Sequence, residues 1–124
     1  MKVTLTKKES REIFHTAMCN GLDWVSSYGL FLEYDRVRYE STSNLMKSPC
    51  HEDVLLFMLE NGETLTVVDE EDEDGNVEIT IDKVYDRMKN VPIENLLRII
   101  NETDDVIDAD VVLQTVFFNE VIYG

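Results

Sequence analysis

Cysteine is scarce in this chain: Cys19 and Cys50 are the only two, and they allow at most one bridge. Small secreted domains carry a denser cysteine framework, so the pair points to reduced thiols and a cytoplasmic setting. Long apolar runs are missing too. No stretch approaches 18 apolar residues, so no transmembrane helix and no membrane partner is expected. The opening MKVTLTKKESREIF alternates polar and apolar residues without a continuous apolar core, which does not read as a signal peptide. Bases are the next shortage. Eleven Lys and Arg face 26 Asp and Glu, for a net charge of −15. A phosphate backbone repels such a chain, so direct nucleic-acid binding through a basic face is not expected. The common signatures of enzymes (GxGxxG, GxxxxGK[ST], GxSxG, HExxH) are absent as well. No cofactor is therefore expected and no catalytic residue is assigned.

What is present suffices for a folded domain. Hydrophobic residues make up 44% of 124 residues, enough for one core without metal or disulfide staples. No repeat or linker divides positions 1–124, so they read as one domain. The charge is uneven. Up to Gly62 there are nine acids and seven bases; from Glu63 onward there are 17 acids and four bases. Such an acidic half attracts a basic protein surface or divalent cations, or simply keeps the chain soluble.

Thr6 followed by Glu9 is a capping-box pair; Ile13, Ala17 and Met18 follow at helical spacing, and Asn20-Gly21 is a stop signal, predicting a helix over 7–20. An aromatic-rich stretch suggests a strand over 30–34, and 37–46 is open between strand, loop and weak helix. Ser48-Pro49 reads as a cap and first helical residue, Val54, Leu55, Met58 and Leu59 as an apolar stripe, and Asn61-Gly62 as the end. Strands over 63–69 and 77–81 flank the acidic turn EEDEDGN, a hairpin signature. Asp82 can cap a helix over 83–89. Pro92 opens one over 92–101, with Ile93, Leu96, Leu97 and Ile100 as its buried face. A last helix is expected over 108–119, though the β-branched residues of 111–118 also suit a strand. Helices and an antiparallel sheet in separate blocks give an α+β fold: a small antiparallel sheet, made of the hairpin at 63–81 and a short strand near 30–34, packed against about five short helices.

Four constellations could carry chemistry. Glu70, Asp72, Asp74 and Gly75 resemble the start of a calcium loop, but position 12, where a bidentate Glu belongs, is Ile81. His15 and Cys19 share one helix face, and Cys50-His51 opens the next strong helix; if the helices met, two sulfurs and two nitrogens could hold zinc. Against this, both cysteines also suit small buried positions. Cys50 at a helix N-terminus is where a thiolate nucleophile is physically reasonable, opposed by Glu52 and Asp53. The acids Asp104, Asp105, Asp108 and Asp110 read as helix caps, or, facing Glu52 and Asp53, as a two-metal hydrolase site. Phe118, Val121, Ile122 and Tyr123 cannot all face one small core from a single helix, so part of the C-terminal end suits a dimer or partner interface.

As a set, CNGL (19–22), SPCHEDVL (48–55), LTVVDEE (65–71) and DADVVLQTVFFNEVIYG (108–124) resemble small acidic proteins of gut Bacteroides-type bacteria and their phages or mobile elements. That resemblance implies a bacterial or phage cytosolic setting and transfers no functional residue. The expectation is a non-enzymatic interaction or regulatory module, a nucleic-acid mimic being one version. Its contact residues would be Asp69, Glu70, Glu71, Asp72, Glu73, Asp74, Phe118 and Tyr123. The alternatives are a carboxylate-dependent metallohydrolase and a small structural homodimer.

Overall fold

The computed structural model describes residues 4–124, with the side chain of Glu73 outside the description. Six helices and three strands occur among the described residues, in the α+β arrangement the sequence predicts. Helix α1 spans Lys7–Ser26 and opens with the expected box: Glu9 N–H donates to Thr6 Oγ1 at 3.1 Å, and Thr6 N–H to Glu9 Oε1 at 2.9 Å. It runs six residues past the predicted stop. Asn20-Gly21 does not end it because Gly21 is buried against the last helix: a Cβ there would lie 2.9 Å from Ala109 Cβ. Strand β1 is Leu30–Glu33, and the ambiguous stretch becomes helix α2, Arg36–Leu45, whose N-cap Asp35 accepts from Arg38 N–H.

Helix α3, His51–Glu60, starts later than Ser48-Pro49 suggested, with Cys50 as N-cap. Ser48 sits instead in the left-handed region at φ 49°. Strands β2, Leu65–Asp69, and β3, Val77–Ile79, form the predicted hairpin around a 3₁₀ turn at Glu73–Gly75. The sheet is antiparallel in order β1-β2-β3, with Leu30 opposite Asp69 and Leu65 opposite Ile79. Leu65, Val67 and Asp69 alternate inward along β2. Thr80, not Asp82, caps helix α4, Ile81–Met88. Pro92 precedes helix α5, Ile93–Ile100.

Helix α6, Val106–Phe118, settles the ambiguity at 111–118 as helix, and packing is the reason. It lies at the centre, with Ala109, Val112, Leu113, Val116 and Phe117 all buried. A helix covered on most sides is apolar on most sides, which is what made the segment read as a strand. Asp105 caps its start, its Oδ1 accepting from Ile107 N–H and Asp108 N–H. Arg87 Nη1 donates to the carbonyls of Val116 and Phe117, both at 2.8 Å, and Asn119 closes the end at φ 62°.

Helix α5 rotates differently from its predicted face. Leu96 and Ile99 are buried, but Ile93, Leu97 and Ile100 point outward. The interior position beside Leu96 goes to Asn95, whose amide donates to Asp108 Oδ1 at 2.8 Å. A polar anchor therefore fixed the helix rotation, and three apolar residues were left outside.

Candidate functional site

Helices α1 and α3 bring three of the four expected zinc candidates near one another and substitute a fourth. His15, Cys50 and Asp53 each offer a ligand atom, all within 4.8 Å of one another; among the described residues no other group of three or more His, Cys, Asp or Glu converges in this way. His15 Nε2 and Asp53 Oδ1 are hydrogen-bonded at 2.6 Å. Cys19 Sγ, one helical turn beyond His15, lies 3.9 Å from both ring nitrogens. Both thiols are exposed, which corrects their reading as small buried hydrophobes. His51 turns away: its Nδ1 is hydrogen-bonded to the Tyr39 hydroxyl at 2.8 Å, beside the rings of Tyr34 and Tyr39.

A helix opening at Ser48-Pro49 leaves Asp53 out of the zinc set that the sequence suggests. With Cys50 as N-cap, Asp53 is the third residue of the helix, and its Oδ2 reaches back to accept from Cys50 N–H at 3.1 Å. That bond holds the carboxyl of Asp53 below the ordinary value, helped by the one from His15. Desolvation, with Glu52, Cys50 and Asp53 nearby, pushes the Cys19 thiol up to about 11. Cys50 shares that anionic setting.

The other acidic clusters separate. Among the described residues Glu70, Asp72 and Asp74 form no converging ligand group and stand as exposed turn residues. Asp104 accepts from Asn20 Nδ2 at 3.2 Å. Asp108 is buried and accepts from Asn95, Arg98 and Asp105 N–H. Asp110 accepts from Tyr28 Oη at 2.8 Å and Gln114 Nε2 at 2.7 Å. Asp105 and Asp108 cap α6 and Asp110 is anchored within it, and among the described residues these acids form no converging group with Glu52 and Asp53.

The predicted contact residues divide likewise. Glu70, Glu71, Asp72 and Asp74 are exposed, and the Glu73 side chain lies outside the described residues. Asp69 is only 4% exposed and accepts a hydrogen bond from the Tyr123 hydroxyl, so this pair is occupied internally. Tyr123 also stacks on Tyr28, while Gln114 bonds the backbone of Ile122 and Tyr123. Phe118 packs on the core against Phe117. The C-terminal end is thus pinned to its own domain, with Val121 and Ile122 facing out.

A surface the sequence did not suggest lies between α1 and α5. A groove of about 340 Å³ is lined by Glu9, Glu12, Ile13 and Thr16 from α1, Ile99 and Ile100 from α5, and Glu102 and Asp104 beyond it. Among the described residues, four carboxylates and no base border it. Beside it, Leu97 is 47% and Ile100 48% exposed, with Ile93 on the same face. The signal was the strong apolar periodicity of α5, which was read as wholly core-facing. Comparison with models of known families, with curated proteins and with solved structures found no match.

Proposed function

We propose that the chain is a non-enzymatic interaction module that takes a basic, amphipathic segment of a protein partner along α1 and α5. The observation that carries this reading is the groove in which Glu12, Glu102 and Asp104 stand around Ile99 and Ile100. A Lys or Arg side chain fits such a place in both its parts. Its aliphatic stem lies on the isoleucines and its charge meets the carboxylates. Leu97 and Ile93 continue the apolar stripe for the next turn of a partner helix, the spacing by which helices dock in grooves. The mixed character of the surface favours an amphipathic segment over a protein that competes with nucleic acid through charge alone.

The wider charge supports the same partner. Exposed Glu70, Glu71, Asp72 and Asp74 add to a net charge of −15, a field that speeds encounter with a basic surface and falls off with salt. The same charge opposes close approach of two copies through this face. The resemblance to small acidic bacterial and phage proteins fits a regulatory role in the cytoplasm of such a cell.

A tagged-protein pull-down from lysate of its own host, washed at low and high salt beside an Ile100→Asp variant, tests the proposal. A stoichiometric partner with a basic segment should be retained at low salt, shed at high salt and lost with the variant. A partner held equally by both proteins would place binding elsewhere on the molecule.

A further inference from the structure

We infer that His15, Cys19, Cys50 and Asp53 form a four-ligand site for a thiolate-preferring divalent metal, zinc by its donor set. Two helices contribute two residues each. His15 and Cys19 lie one turn apart on α1, and Cys50 and Asp53 are the N-cap and third residue of α3. Tetrahedral zinc with bonds of about 2.0–2.3 Å spaces its ligand atoms roughly 3.3–3.8 Å apart. The ligand atoms of His15, Cys50 and Asp53 already lie within 4.8 Å of one another, and Cys19 Sγ is 3.9 Å from the imidazole nitrogens. Cys19 Sγ lies outside the group of three, so closing the set requires its side chain to turn from His15 toward Cys50 and Asp53.

The metal-free contacts account for part of this arrangement. The hydrogen bond between His15 and Asp53 satisfies those two groups, and the cation would take the place of the proton they share. That bond gives no reason for two exposed thiols, from separate helices, both to stand beside His15. Glu52 adds negative charge beside them without joining the ligand set. A divalent ion answers all of these at once: it pairs the thiolates, neutralises the crowded acids and clamps the start of α3 onto α1. Two sulfurs, one nitrogen and one oxygen favour zinc over calcium or magnesium, which take oxygen ligands. Four protein ligands leave no open position, so the site is a structural clamp and not a catalytic centre.

The test uses the whole chain, reduced and stripped with a chelator, titrated calorimetrically with zinc alone and spectroscopically with cobalt(II). The expected result is one zinc per chain. The cobalt adduct should show intense visible bands of tetrahedral geometry and a thiolate-to-cobalt charge-transfer band. Cys19→Ser and Cys50→Ser should each remove about half of that band. Both thiols are at the surface, so serine leaves the core intact. His15→Ala and Asp53→Asn should weaken zinc roughly a hundredfold or more. His51→Ala is the control and should change affinity by less than about twofold, since His51 faces Tyr39. Absence of stoichiometric zinc, a weak octahedral cobalt spectrum without the thiolate band, or equal losses in His51→Ala and Cys50→Ser would each overturn the inference.

Discussion

Replacing Gly21 by alanine places a new Cβ 2.9 Å from Ala109 Cβ and 2.9 Å from Leu113 Cδ1. In an exposed helix interior the same change stabilises by about 1 kcal/mol, because glycine is the poorer helix former. At Gly21 that gain meets a steric cost. Ala109 Cβ is fixed to the α6 backbone, and Leu113 is fully buried, so it cannot swing its methyl into solvent. Overpacking a close contact of this kind costs about 1–3 kcal/mol. Subtracting the helical gain leaves a net loss of roughly 1 kcal/mol, which for a domain of this size lowers the melting temperature by about 3–6 °C. Urea unfolding followed by circular dichroism should show a lower midpoint with an unchanged slope. Ala109→Gly in the same chain should remove the Ala109 part of the clash and leave the Leu113 part, so the double variant should be more stable than the two single changes add up to. A Gly21→Ala protein that is more stable than the parent would refute the packing of α1 on α6 at this point.

Two further predictions concern the buried polar groups. Asp108→Ala removes the acceptor for Asn95, Arg98 and the Asp105 N–H, and should cost about 3 kcal/mol in urea unfolding. Burial pushes the Asp108 carboxyl up, but the bonds from Asn95, Asp105 and Arg98 outweigh it and hold the group below its ordinary value. Its contribution is therefore complete above the ordinary carboxylate range and fades as pH falls through the lower folded value, so parent and Asp108→Asn stability curves should converge in acid. At the other end of the scale, the hydrogen bond to Asp69 pushes Tyr123 up to about 12. That contribution is complete below the ordinary tyrosine value and lost as pH rises toward 12. In an absorbance titration, Tyr123→Phe should lack the last phenol to ionise; an unchanged titration would contradict the lock on the C-terminal end.

Most elements were legible because their local signals agreed. The Thr6–Glu9 box, the Asn61-Gly62 end and the hairpin around the acidic turn are present, but the strands are shorter than expected, and Ile81 opens α4 because Thr80 caps it. The failures share one cause, which is that a tertiary partner redefined a local signal. Asn20-Gly21 reads as a stop until α6 is laid against it, after which the glycine is a point of close approach. The β-branched residues of α6 suggest a strand until the helix is seen to be covered on most sides. Periodicity gave α5 an apolar face, but the Asn95–Asp108 bond decided which side of the helix turned inward. Of the candidate sites, the pairing of α1 with α3 was anticipated through His15, Cys19 and Cys50. The exchange of His51 for Asp53 depended on a helix start displaced from Ser48-Pro49 to Cys50. The groove between α1 and α5 joins residues far apart in sequence, and the apolar periodicity of α5 is its one local trace.

The central claim is that this groove, and not negative charge in general, recognises the partner. Its most direct test is a heteronuclear NMR titration of labelled protein with a helical peptide bearing lysine on one face and leucine on the other. The account predicts shifts concentrated at Glu12, Thr16, Leu97, Ile100, Glu102 and Asp104, abolished by Ile100→Asp and absent with a peptide whose lysines are replaced by glutamate. Shifts centred on the acidic turn at Glu70–Asp74, or unchanged in Ile100→Asp, would contradict it.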